Sequence, residues 1–174
     1  MASTLGTCTI ALMFATVGLS PAMAGEFNSA IDMTAKGGTT FYVPGRIAGV
    51  GAVDLMVDTG SGYMTINERM LERLQQSGEV RFVRHMRGRL ANGSELEVPL
   101  YSIGAVSIGE SCWLNDVEAA VFPGDTRPIL GLNVLQRAAP FIFSFEPPQL
   151  VLSHCQDAPA APLSPLARNA QTPR

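Results

Sequence analysis

The chain is poor in charged residues and in histidine. Charged residues make up 16% of its 174 positions, and the formal net charge is −3. Its densest group of cations consists of four arginines spaced through one apparent strand, Arg81, Arg84, Arg87 and Arg89. This spacing does not form the basic patch that binds a phosphate backbone, so a nucleic-acid partner is not expected. Only two histidines occur, His85 and His154; both are isolated, and Cys-x-x-Cys is absent, so no metal site is expected.

Two common cofactor-binding and catalytic patterns are also missing. Gly49 and Gly51 begin a glycine-containing stretch, but Asp54 stands where a third glycine is needed and no helix follows, so the dinucleotide fingerprint fails. Ser61 lies between two glycines, but a threonine and a tyrosine occupy the outer positions of the Gly-x-Ser-x-Gly pattern. A Ser-His-Asp triad would have to recruit one of the two isolated histidines. We therefore expect neither a bound cofactor nor a serine nucleophile.

The first two dozen residues have features of a targeting segment. The stretch TIALMFATVGL is apolar but too short to span a bilayer, and PAMA before Gly25 offers an Ala-x-Ala cleavage site. The opening MASTLGTC has no Lys or Arg, which a signal peptide normally has. We predict a signal peptide over residues 1–24 and a periplasmic or secreted protein with no membrane span after cleavage. An uncleaved N-terminal anchor is the alternative.

Removal of this segment leaves two cysteines, Cys112 and Cys155. An even number of cysteines in an oxidising compartment favours a disulfide, which would stabilise the fold by about 2–4 kcal/mol. Two unpaired buried thiols are the alternative.

The rest of the chain is long enough for one domain. Residues 25–37 are polar and mixed and are predicted to be a loosely held lead-in, whereas residues 38–155 are mostly β, with several runs rich in Val, Ile and Phe. One short helix is predicted after Asn67, which can cap it, and Gly78 ends it. Residues 156–174 are rich in Ala and Pro and are predicted to be disordered.

Three features of the predicted domain share one order along the chain. The apolar stretch VDLMV runs directly into Asp58, Thr59, Gly60 and Ser61. A predicted hairpin then has its tip at Ala91, Asn92, Gly93 and Ser94, because Asn-Gly is a strong hairpin signal. An apolar pair followed by glycine comes later, at Ile129, Leu130 and Gly131. Asp-Thr-Gly alone is ordinary turn chemistry, but the three features together resemble the aspartic proteases, and most closely the single-lobe, retropepsin-like group of bacterial envelopes.

The resemblance implies a fold and a role for each residue of the first feature. It implies a retropepsin-like domain over residues 38–155, a single-lobe closed β-barrel with one short helix that forms a symmetric homodimer. Asp58 is then the catalytic acid-base, Thr59 bonds the partner loop, Gly60 offers an amide to the carboxylate, and Ser61 supports the turn. The hairpin tip corresponds to a flap over bound peptide. Gly62 departs from the Ser or Thr that relatives commonly have.

The second carboxylate of such a site is missing from the sequence. Asp125 and Thr126 are followed by Arg127 instead of glycine, and Asp-Thr-Gly occurs once. A working pair of carboxylates therefore requires a second copy of the chain, each copy contributing Asp58. Asp54 shares a strand face with Asp58 by period-two counting, but an ordinary half-exposed residue is the simpler interpretation.

Three functions follow from these patterns. The first is an aspartic endopeptidase that cuts extended protein segments through water activated between two carboxylates. The second is a catalytically silent domain of the same fold that binds peptides or protein partners. The third is a ligand-binding β-barrel with an accidental resemblance, which three features in the right order disfavour.

Overall fold

The structure, a computed structural model, describes residues 27–89 and 92–158. The predicted signal peptide, Ala91 and nearly all of the predicted tail lie outside the described residues. The elements are, in chain order, β1 Ser29–Asp32, β2 Thr34–Lys36, β3 Thr40–Ile47, β4 Gly51–Val57, β5 Met64–Asn67, α1 Glu68–Ser77, β6 Val80–Arg89, β7 Glu95–Ile108, β8 Cys112–Phe122, β9 Ile129–Leu130, α2 Leu132–Leu135, β10 Phe141–Phe145 and β11 Pro148–Leu152. The predicted mostly-β character is confirmed, and a second helix of four residues accompanies the predicted one.

The strands form two sheets. The larger has the order β2-β3-β4-β9-β5-β8-β7-β6, and the smaller has the order β1-β11-β10. Most neighbours are antiparallel, but β4 runs parallel to β9 and β5 runs parallel to β8. An additional pairing of β3 with β7 places Ile47 opposite Val106 and joins strands that lie far apart in the sheet order. The apolar faces of these strands enclose the main core.

The N-terminal segment predicted to be a loose lead-in is part of the sheets. β1 pairs with β11, with Ile31 opposite Leu150, and β2 pairs with β3. Ile31 and Met33 are buried in the main core. The reason is that these two apolar side chains, two residues apart, face the same side of the extended chain and reach the core together. The prediction for residues 25–37 is corrected accordingly, since this segment contains the two strands β1 and β2.

Helix α1 begins and ends where the sequence predicts. The Asn67 side chain accepts a hydrogen bond of 2.9 Å from the Met70 amide, which satisfies one of the free donors of the first turn. Gly78 ends the helix in the left-handed conformation, with φ of 74°. Leu74 is fully buried and fastens the helix to the core. Of the helices in the described ranges, none has the length and apolar character needed to cross a bilayer.

The C-terminal end of the described chain is tied to the start of β8. A disulfide joins Cys112 to Cys155, as predicted. One residue further, Gln156 forms an isolated antiparallel bridge with Trp113, and its side chain accepts hydrogen bonds from Asn115. Backbone pairing therefore includes Gln156, one residue past the predicted domain end at residue 155.

Candidate active site

Asp58 directly follows the last residue of β4. Alternation along this strand buries Leu55 completely, and Asp58 emerges half-buried at the strand end. The strand end is held from the side by β9, because Val57 lies opposite Leu130 in the parallel register and the Asp58 amide donates to the Leu130 carbonyl at 3.2 Å. The apolar strand thus fixes the backbone from which the carboxylate projects.

The residues after Asp58 form a tight turn that contacts the carboxylate. The Ser61 amide donates to the Asp58 carbonyl at 3.2 Å. The Gly60 amide donates to Asp58 Oδ1 at 2.8 Å. A Cβ atom at position 60 would lie 3.1 Å from the same oxygen, so glycine allows this close approach. Thr59 is exposed at the top of the turn, and the Ser61 hydroxyl donates to the Tyr63 carbonyl at 2.7 Å.

The apolar pair followed by glycine, Ile129, Leu130 and Gly131, lies beside this turn. After β9, the Leu132 amide donates to the Ser61 carbonyl at 2.8 Å, and the Asn133 amide donates to the Gly62 carbonyl at 3.2 Å. Gly131 lies at the start of α2 against the backbone of Tyr63 and Met64, and a Cβ atom at position 131 would overlap the Tyr63 carbonyl. Glycine is required here by close backbone approach rather than by an unusual φ, which is −90°. The structure therefore brings the two distant sequence features together.

Asn133 is a positioning residue that the sequence analysis missed. Its Oδ1 accepts a hydrogen bond of 2.7 Å from the Met64 amide, and its Nδ2 donates to the Glu118 carbonyl, also at 2.7 Å. One side chain thereby joins the chain after the Asp58 turn to the neighbouring strand β8. The only sequence signal is an amide within the otherwise apolar LGLNVL.

The predicted hairpin is formed by β6 and β7, which pair antiparallel from Val80 to Arg89. At its tip, the Ser94 amide and hydroxyl donate to Asn92 Oδ1 at 3.0 and 2.7 Å, and Gly93 has a φ of 84°. Ala91 lies outside the described residues. A small second core includes Val98 and Met86, which face each other in the middle of the hairpin, and Tyr63 from the Asp58 side packs against it. The hairpin therefore adjoins the segment that follows the Asp58 turn.

The other acids considered in the sequence have partners of their own. Asp54 lies four residues before Asp58, about 13 Å along an extended strand, and its carboxylate pairs with Lys36 Nζ at 2.7 Å. Asp125 pairs with Arg69 at 2.8 Å on the exposed surface. Asp58 is not part of the lining of two surface cavities of about 160 and 340 Å³ that the described residues form. Within the described ranges, no cluster of three His, Cys, Asp or Glu side chains could hold a metal ion.

Comparisons with known proteins give a family match and similar solved structures. A family model described as gag-polyprotein putative aspartyl protease matches residues 43–137, a range that includes Asp58, Gly131 and Asn133. Among solved structures, the chain is similar to a retropepsin-like aspartic protease from Rickettsia conorii, with a TM-score of 0.52 and 21% identity over 72% of this chain and 91% of that one. It is also similar to the retroviral protease-like domain of Ddi1 from Leishmania major, with a TM-score of 0.43 and 23% identity over 62% of this chain and 83% of that one. No curated protein matches the chain.

Proposed function

Because the chain belongs to the gag-polyprotein putative aspartyl protease family, we propose that it is an aspartic endopeptidase that cuts extended protein segments as a homodimer. One observation carries the proposal. Asp58 stands at the end of an apolar strand, and its Oδ1 accepts a hydrogen bond from the Gly60 amide at 2.8 Å. Its own amide donates to the carbonyl of Leu130, which belongs to the apolar pair before Gly131. This arrangement holds one carboxylate in a fixed direction, which suits acid-base chemistry better than a solvated turn does.

The reaction uses two carboxylates that share one proton. Two carboxyl groups in close contact do not both ionise readily, so one is charged and the other protonated. The charged Asp58 removes a proton from a water molecule held between the two, and the water oxygen attacks the scissile carbonyl carbon. The protonated Asp58 donates its proton to the carbonyl oxygen, which gives a tetrahedral diol. The proton taken from water then passes to the amide nitrogen, the C–N bond breaks, and a diol hydroxyl returns its proton to the other carboxylate. The Gly60 amide of each copy orients its own carboxylate throughout, and no covalent intermediate with the enzyme forms.

The second Asp58 comes from a second copy. Asp54 and Asp125 are paired with Lys36 and Arg69, and Asp-Thr-Gly occurs once in the sequence. A twofold axis close to Asp58 would bring two identical carboxylates together and place the two exposed Thr59 side chains at the interface. We infer further that β3–β7 pairing closes the strands into a barrel, and that the hairpin around Asn92 covers bound substrate from each side.

A periplasmic or secreted location fits the same proposal. The disulfide between Cys112 and Cys155 is a feature of oxidising compartments, and it agrees with a cleaved signal peptide over residues 1–24.

The alternative function is a catalytically silent domain that binds peptides. Gly62 favours it, because this position offers no side-chain hydroxyl beside the carboxylate pair.

The first test compares three forms of the full chain on unfolded protein substrates across pH 3 to 7, with fragments detected by mass spectrometry. Wild type is expected to cleave, and Asp58→Asn is expected to lose activity by about 100-fold or more, since it removes the base. Asp54→Asn is the matched control: it makes the same chemical change on the same strand, at an exposed side chain, and should remain active. Cleavage that survives in Asp58→Asn would contradict the proposal.

Mixing the variants tests the shared site. When Asp58→Asn exchanges freely with an equal amount of wild type, only dimers of two wild-type chains are active, so activity should fall to about half. Asp54→Asn added in the same amount should not lower activity. If Asp58→Asn also leaves activity unchanged while wild type co-purifies with an affinity-tagged Asp58→Asn chain, which shows mixed dimers, each chain has a complete site and the dimer mechanism is wrong. Binding without cleavage would favour the silent domain.

A further inference from the structure

The sheet face that bears Asp58 also carries an apolar surface. Side chains alternate along β4, so Met56 shares the face of Asp58 while Leu55 points into the core. Tyr42 lies opposite Met56 on one side, and Ile129 lies opposite it on the other. All three are half-buried. They form a floor that begins about 7 Å from Asp58, two residues back along the strand.

Next to this floor lies an arginine that has no carboxylate partner among the described residues. Arg127 Nη1 lies 3.4 Å from the Tyr42 hydroxyl, and Arg127 is exposed. No carboxylate of residues 27–89 or 92–158 lies within ion-pair distance of Arg127. The nearby acid on this face, Asp54, is already paired with Lys36 at 2.7 Å, and the Lys36 ammonium also lies 4.7 Å from the centre of the Tyr42 ring. The Lys36–Asp54 pair is neutral, so the charge of Arg127 is left uncompensated.

A second guanidinium lies on the other side of the Asp58 turn. Arg84 Nη2 donates to the Tyr63 hydroxyl at 3.1 Å, and Tyr63 is fixed to the turn through the Ser61 hydroxyl. Arg84 also faces the Glu118 carboxylate at 3.8 Å, so its charge is partly balanced. Of these two arginines, Arg127 is the one with no carboxylate of residues 27–89 or 92–158 within ion-pair distance.

We propose that Arg127 selects substrates carrying an Asp or Glu side chain close to the bond that is cut, next to an apolar residue that rests on the floor of Tyr42, Met56 and Ile129. This rests on the proposed endopeptidase function. A guanidinium binds a carboxylate through charge-assisted hydrogen bonds, which are stronger than neutral ones. The contact with the Tyr42 hydroxyl restricts the guanidinium before substrate arrives, which lowers the entropic cost of binding. The preferred substrate is therefore an extended, acidic and apolar peptide.

The experiment uses extended peptides with apolar residues at their centre. The two peptides of each pair differ at one position, which is Glu in one and Gln in the other. A series of such pairs places this position at successive sites along the peptide. For the best position, wild type should show a kcat/KM about tenfold higher for Glu than for Gln. Arg127→Gln should remove the preference while still cleaving the Gln peptide. Arg73→Gln is the matched control, because Arg73 is exposed on α1 and its loss changes the net charge equally. Equal cleavage of the two peptides by wild type would overturn the inference.

Two further measurements separate this inference from the endopeptidase function. Peptide binding to Asp58→Asn does not require cleavage, and it should show the same preference for Glu, lost when Arg127→Gln is added. If Asp58→Asn binds both peptides equally, or neither, the inference is wrong even where wild type is an active protease. In the charge-reversed variant Arg127→Glu, the preference should turn to Lys over Gln at the same position, which a merely structural role of Arg127 would not produce.

Discussion

The loss of the Asn133 side chain should destabilise the fold strongly, although only one small polar group is removed. Asn133→Ala deletes two hydrogen bonds of 2.7 Å and leaves the Met64 amide and the Glu118 carbonyl without these partners. Met64 is fully buried, so water cannot easily replace the lost acceptor. An unsatisfied buried group costs about 1–3 kcal/mol, so two give about 2–6 kcal/mol. Urea unfolding monitored by circular dichroism measures this change in the free energy of unfolding.

The control for this variant is another asparagine whose side chain also makes hydrogen bonds. Asn115 Nδ2 donates to Gln156 Oε1 at 3.0 Å, but at an exposed site where water can replace the partner. Asn115→Ala should therefore cost less than about 1 kcal/mol. The contradicting result would be a free energy of unfolding for Asn133→Ala within about 0.5 kcal/mol of wild type, at an unchanged urea dependence. The Asn133 side chain would then not be what joins Met64 to β8.

Two further changes test the packing around the site and the tie at the C-terminal end. Gly131→Ala places a methyl group onto the Tyr63 carbonyl and should lower the free energy of unfolding, measured by thermal unfolding, by about 2 kcal/mol or more. Gly62→Ala is the control, because no atom lies within 4 Å of the new methyl group. It should leave the free energy of unfolding nearly unchanged. Equal effects of the two would contradict the close approach. Replacing both Cys112 and Cys155 by Ser opens a loop closed over 43 residues and should cost about 3–4 kcal/mol; a wild type whose unfolding is unchanged by dithiothreitol would show that the bridge does not form.

The features that the sequence predicts well have strong local signals. The cap at Asn67 and the stop at Gly78 are both set by backbone groups within one turn of the helix. The hairpin follows from Asn92 and Gly93 between two long strands. Gly131 was identified only through resemblance, and the structure supplies its physical reason in the backbone of Tyr63, which no local pattern contains.

The features that were missed depend on partners distant in the chain. β1 has four residues and pairs with β11, more than a hundred positions away, so its alternation is too short to identify a strand. Asn133 lies in a helix of four residues, and its partners belong to β5 and β8. A single amide in an apolar run gives no indication of the groups that it will join. In both cases tertiary contacts decide a conformation that local propensity leaves open.

The Asp58 site is held by backbone hydrogen bonds between two short segments rather than by long helices or strands. β9 has two residues and α2 has four, yet together they bond to the segment from Asp58 to Gly62 through three backbone hydrogen bonds, between 2.8 and 3.2 Å. Their position is fixed by Gly131, which lets the chains approach, and by Asn133, which ties them to β8. Changes at these two residues should therefore lower stability and cleavage together. Arg127 does not take part in these hydrogen bonds. Its replacement should therefore change which peptide is cleaved, while the fold and the cleavage activity persist.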